Sequence, residues 1–229
     1  MEYSFLNILT NIGLVGGSIA LFCSPFVLYF YVHHRSDIAK SKPGVNQFIE
    51  RFFESSSLNW LVLFWALAEA LVWFVIPEFL LFLIIFMKVR HKANLLLYDI
   101  IGTIVGTLIG VMFHLSISAM LHIPYVYSGM FTKVHLWFSG MGIWGLVNQP
   151  FSGVPYKVFL NVAPEFGFNI VLFILLAIVL RVGRYAIFYI IFWLAYPALH
   201  KFVYRHYIVL LVLAIIVFSL ALTKVSSMY

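Results

Sequence analysis

Apolar and polar positions alternate along this chain in long blocks rather than at the period of a soluble helix or strand. Nearly uncharged runs cover 11–32, 58–87, 93–121, 166–180 and 208–222, and short polar or cationic stretches separate them. A membrane-crossing helix needs about 20 predominantly apolar residues, and such blocks predict several. The first run has no basic residue before it and no small-residue cleavage pattern after it, so it is expected to be a membrane helix and not a removed signal peptide. The following stretch, 33–57, carries Arg35, Lys40, Lys42 and Arg51, with Pro43-Gly44 as a break. The positive-inside rule places it in the cytoplasm, with the amphipathic part 45–53 on the membrane surface.

The run 58–87 is too long for one simple span, and its exit Lys88-Val89-Arg90-His91-Lys92 is as basic as its entrance. A hairpin that enters and leaves on one side keeps seven of the 14 basic residues in the cytoplasm. Pro77 removes a helix hydrogen bond within the run, so 58–87 is expected to be re-entrant. A crossing helix over 93–121 carries Gly102, Gly106 and Gly110 on one close-packing stripe. With a single lysine, Lys133, and several Gly and Pro breaks, 122–145 reads as an outside loop. The segment 146–163 is too broken for a spanning helix and too apolar for an exposed loop, which predicts a second re-entrant loop from the opposite side. Residues 166–180 then cross inward to Arg181 and Arg184. The short run 185–196 stops at Pro197, lying in the interface or crossing obliquely, and 208–222 is a last crossing helix.

The expected architecture is all-α and polytopic: crossing helices plus two opposed, proline-broken hairpins. Val75-Ile76-Pro77-Glu78 faces Gly153-Val154-Pro155-Tyr156, with Trp65 and Trp144 upstream, which is the pattern of an inverted-repeat site without being proof of a repeat. Three regions follow: 1–57, a membrane helix and basic stretch; 58–190, the core with both broken segments; and 191–229, the C-terminal membrane region.

Composition sharpens this picture. Of 229 residues, 64% are apolar and 10% charged, and the mean hydropathy is +1.04. So few polar groups cannot cover a water-soluble globule. The net charge of +6 is spread among membrane segments and points to topology and anionic head groups rather than nucleic acid. Cys23 stands alone and the eight histidines are scattered, so no disulfide framework, metal site or cofactor is expected. No phosphate loop, HExxH or serine elbow is present, and an enzyme is not expected.

Ionisable residues at bilayer depth carry the remaining chemistry. Glu69 and Glu78 flank Pro77, where a carboxylate must face a cavity, pair with a cation or stay protonated. Glu78 can equally cap a half-helix. Lys157 follows Pro155 and Tyr156 in the second broken segment, where a half-helix start and an ammonium group together suit one phosphate. Its competing reading is snorkelling to the interface. Asp99 and His114 sit on the glycine-striped helix as interfacial and packing residues, and Arg181 and Arg184 read as topology anchors within reach of a carboxylate.

Phe151-Ser152-Gly153-Val154-Pro155-Tyr156-Lys157-Val158-Phe159 resembles the F-T-P-I-P-Y-K-V-F phrase of the YqaA-like branch of the DedA superfamily, also called VTT or SNARE-associated domain proteins, at six places. Arg181, Arg184 and Tyr185 echo its later G-R-x-x-R-[FY] pattern. Glu69, Pro77 and Glu78 fit its first re-entrant loop, and Gly102, Gly106 and Gly110 its glycine-rich helix. Gly153 replaces the first proline of the phrase. The resemblance covers roughly 58–190 and implies a bacterial inner-membrane flippase or scramblase moving a phospholipid or polyprenyl-phosphate. On that expectation Lys157 holds an anionic head group, Glu69 and Glu78 respond to protons, and Arg181, Arg184 and Asp99 pair with them. A proton- or ion-coupled small-solute transporter and a membrane assembly factor without transport are the alternatives. Proton coupling and homo-oligomerisation are left open.

Overall fold

The computed structural model describes residues 5–41, 43–75, 84, 92–113, 115–226 and 228. Pro77, Glu78, the cationic exit 88–91 and His114 lie outside the described residues.

Among the described residues the fold is all-helical. Helix α1 spans Phe5–His33 with Pro25 inside it, α2 spans Arg35–Ser41, α3 Val45–Glu54 and α4 Ser56–Leu71. Next come α5 (Lys92–Met112), the single turn α6 (Ile117–Met120) and α7 (Ser128–Met141). A 3-10 helix over Gly142–Asn148 and a turn lead into the short α8 (Tyr156–Val162), and a second 3-10 turn covers Ala163–Phe166. The chain closes with α9 (Ile170–Arg205) and α10 (Tyr207–Ser226). Among the described residues four helices, within α1, α5, α9 and α10, are long and apolar enough to cross a membrane, which makes this a membrane protein.

The glycine stripe sets the centre of the fold. A Cβ on Gly102 would meet the Leu63 carbonyl and Ala66, one on Gly106 would meet Ala70 and Leu67, and one on Gly110 would meet Leu71 and Leu160. Residue numbers rise together on both helices, so α4 and α5 pack in parallel, backbone close to backbone. Only small residues permit that approach. Helix α9 runs antiparallel to this pair, since Arg181 reaches Glu69 while Tyr185, one turn on, reaches Asp99 nearer the start of α5. Helices α1 and α10 form an antiparallel pair of their own, with Asn11 against Thr223 and Gly16 against Ile215. Phe22 and Phe26 of α1 pack on Trp65 and Phe64 of α4 and join the two pairs.

Three expectations are corrected. The run 185–196 does not stop at Pro197 as a segment of its own: α9 continues without a break through it to Arg205. At 1.5 Å per residue its 36 residues measure about 54 Å, well beyond a hydrocarbon core of about 30 Å. One lost N–H bond at Pro197 does not end a helix whose flanking turns are intact. Within 122–145 only 122–127 are irregular: Ser128–Met141 is a helix, α7, along which Met130, Phe131, Val134 and Phe138 recur at helical spacing and are buried. Helix α3 is amphipathic as expected, but Phe52 and Phe53 are buried among protein side chains, with Phe30 edge-on to Phe52. It is also tied to α9, where Asn46 Nδ2 donates to the Tyr204 carbonyl and the Tyr204 hydroxyl donates to Glu50.

Candidate functional site

The C-terminal end of α4, the middle of α5, α8 and the first half of α9 converge on a buried polar cluster. Glu69, Lys157, Arg181, Arg184, Asp99, Thr103 and Thr107 are all at most 7% exposed. Charges at such depth must be matched, and the matching is specific.

Arg181 Nη2 donates to Glu69 Oε2, an ion pair buried on both sides. The guanidinium also lies over the Tyr156 ring, 4.9 Å from its centroid, so a cation–π contact holds its other face. Tyr156 is fixed in turn by Thr107, whose Oγ1 lies 2.9 Å from the phenol oxygen. Thr107 spends its one proton on the Thr103 carbonyl at 2.7 Å, so the Tyr156 hydroxyl is the donor to Thr107. Phe173 stacks on the same tyrosine from α9. The chain Thr103–Thr107–Tyr156–Arg181–Glu69 therefore links α5, α8, α9 and α4. On the next turn of α9, the Tyr185 hydroxyl donates to Asp99 Oδ1 at 3.2 Å.

Lys157 is buried at 2% exposure, and its Nζ donates to the Trp73 carbonyl at 2.7 Å. The local reason lies in how α4 ends. The Val72 and Trp73 amides both donate to the Ala68 carbonyl, which turns the chain out of the helix and leaves the Trp73 carbonyl pointing at α8. A cation at a helix C terminus is also favoured by the helix dipole. Glu69 is taken by Arg181, one of the pairing residues the sequence offered. Helix α8 has only seven residues, and Lys157 bridges the two broken segments. Trp65 secures the same turn by donating from Nε1 to the Val75 carbonyl at 2.9 Å.

Beside the cluster lies a cavity of about 230 Å³. Glu69, Arg184 and Gln149 line it on the polar side, and Trp73, Phe74 and Phe188 are among its apolar walls. The 149–155 turn and one face of α10 complete it. Tyr125 lines the cavity as well and donates to Asn11 Oδ1 at 3.1 Å. Burial, helped by neighbouring Tyr127, pushes the Tyr125 phenol up to about 12, so it stays a neutral donor. Among the described residues no cluster of His, Cys, Asp and Glu has the geometry to hold a metal.

Of the residues singled out from sequence, the structure brings together Glu69, Pro155, Tyr156, Lys157, Arg181 and Arg184, with Asp99 one turn of α9 away. Arg181 reaches a carboxylate, Glu69, and Asp99 is buried beneath the Tyr185 hydroxyl. Thr107, Gln149, Tyr125 and the Trp73 carbonyl went unnoticed. Thr103 and Thr107 had a signal in the repeated Gly-Thr pairs 102–103 and 106–107, which put two hydroxyls on one helix face. A backbone carbonyl has no side-chain signal at all. Comparison with known proteins finds no matching family model, no matching curated protein and no matching solved structure.

Proposed function

We propose that this chain is a lipid translocator that moves a phospholipid or a polyprenyl-phosphate across the bilayer, a flippase or scramblase of the DedA kind resident in a bacterial inner membrane. The observation that carries the reading is the cavity: largely apolar walls meet Glu69 and Arg184 at the buried ion-pair cluster of a chain with four membrane-length helices. An amphiphile needs that combination, with a polar floor for its head group and apolar sides for its chains. Lys157 adds a second cation behind the floor, and the Pro-Tyr-Lys phrase it belongs to is the part of the sequence that most resembles the superfamily.

The re-entrant design is part of the proposal. The parallel packing of α4 and α5 supports a first hairpin, because Ser56 and Lys92 then begin neighbouring helices at the same end of the pair. The broken course of 142–166 supports a second one. Glu69 from the first and Tyr156 and Lys157 from the second meet across the cluster, as the two halves of an inverted repeat would. In this scheme protons act through Glu69, whose release from Arg181 frees a cation for the head group.

Purified protein in liposomes carrying head-group-labelled phosphatidylethanolamine or a labelled polyprenyl-phosphate tests the reading. Faster transfer of label between leaflets than in protein-free liposomes is expected. Transfer at the protein-free rate for both lipids overturns it.

A further inference from the structure

Helix α10 is attached unlike the other spanning helices. It packs chiefly on α1 and only thinly on α9, the helix it follows in sequence. The splay between α9 and α10 is where the cavity lies, with Phe188 on one side and Phe218, Ala221, Leu222 and Val225 on the other. One face of α10 is thus a wall of the cavity, while Val212, Leu213, Val217 and Leu220 face outward.

The two ends of this wall differ. At the first, α9 and α10 are joined by a single residue, His206, at φ −111° and ψ 23°. The hydrogen bonds on both sides of it are kept, from the His206 amide to the Phe202 carbonyl and from the Leu210 amide to the His206 carbonyl. Val203 and Tyr207 flank the joint and are buried in the core with Phe30 and Phe52. That end is a fixed pivot. At the far end, Asn11 Nδ2 donates to Thr223 Oγ1 at 2.8 Å, and Asn11 is held by Tyr125 through its other amide atom. Two residues beyond, Val225 rests on the tip of the 149–155 turn. Gly153 there has φ +76°, and a Cβ at that position would come within 3.2 Å of the Val225 side chain. The turn closes on α10 because it has a glycine at its tip.

Apolar side chains gain little by leaving lipid for a protein surface, so a membrane helix is retained by close packing and by hydrogen bonds. Along α10 the packing on α9 is thin, the main packing is on α1 with Ile215 against Gly16, and the Asn11–Thr223 bond adds to it at the end farthest from the pivot.

We propose that α10 is a lateral door to the cavity, pivoting at His206 and held shut by the Asn11–Thr223 hydrogen bond against the Gly153 tip. Opening it connects the cavity sideways to the bilayer, the route an amphiphile takes without passing through water. The door depends on the cavity and not on what occupies it, so its test needs no transported substrate.

The test uses the full chain with Cys23→Ser, spin-labelled at Val179→Cys and Leu220→Cys, two lipid-facing positions on α9 and α10, in phosphatidylcholine vesicles. Distances between the labels are measured by pulsed electron resonance. Asn11→Ala is expected to raise the ratio of long to short distances roughly five-fold, the worth of one hydrogen bond. Thr223→Val removes the other partner and is read the same way should Asn11→Ala not fold. A second measurement follows the reaction of N-ethylmaleimide with a lone cysteine at Ala221→Cys on the cavity wall, which is expected to quicken in the same latch variants. Unchanged distance distributions together with unchanged labelling rates overturn the door.

Discussion

Glu69 and Arg181 lie 112 positions apart in the chain and form a buried ion pair that ties the end of α4 to the first half of α9. Because Arg181 also sits on the Tyr156 ring, the pair fixes α8 between them. One carboxylate therefore governs the relative placement of three segments at the centre of a membrane protein.

Glu69→Gln should destabilise the protein, since it keeps an acceptor but strips Arg181 of its counter-charge at 3% exposure. Removing one partner of a buried pair costs about 3–5 kcal/mol. Adding Arg181→Gln should recover part of that loss. Thermal melts of the detergent-purified single and double variants read the coupling, and additive losses would show that the two charges do not depend on each other. In liposomes, the variant should also lose any response of lipid transfer to an imposed pH gradient.

Lys157→Met should reduce lipid transfer severely and lower thermal stability, because the Trp73 carbonyl loses its donor at the turn out of α4. Lys157→Arg should retain part of both. Lys133, whose ammonium sits 5.5 Å from the Trp137 ring on α7, is the control, and Lys133→Met should change little. Transfer rates in liposomes decide the matter: a Lys157→Met protein as fast as the unmodified one would remove the lysine from the transport site.

Gly106→Val should prevent α4 and α5 from closing, since even a Cβ would sit 2.8 Å from that of Ala70. Overpacking of this kind costs about 1–3 kcal/mol or more. Gly13→Ala on α1, where nothing lies within 4 Å, should be neutral. Melting temperatures of the two variants compare them, and equal values would mean that the stripe is not a tight interface.

Ser56→Cys and Lys92→Cys, each in the Cys23→Ser background, should react with a membrane-impermeant maleimide from the same side of the bilayer. The parallel packing of α4 and α5 requires it. Labelling from opposite sides would exclude the first hairpin and with it the inverted-repeat part of the proposed mechanism.

The sequence by itself determined the solvent of this protein and the rough place of most of its helices. Hydrophobic runs and proline breaks are local properties, so α1, α5, α10 and the interrupted course of 142–166 were legible from one-dimensional pattern. Helix α7 was harder to see, because Gly129 and Gly140 masked a short amphipathic repeat that makes sense only once Phe138 has Phe159 to pack on. Pro197 misled in the opposite direction, since a proline removes one hydrogen bond and neighbouring turns can carry the helix past it. Tertiary structure alone decided the pairing. Glu69 had Lys157 and Arg181 within reach on sequence grounds, and only the antiparallel placement of α9 against α4 selected the arginine. The lysine was left to a backbone carbonyl exposed by the way α4 ends, a partner that no residue type announces. Buried charges choose partners by geometry across distant segments, and that geometry exists only after the helices have packed.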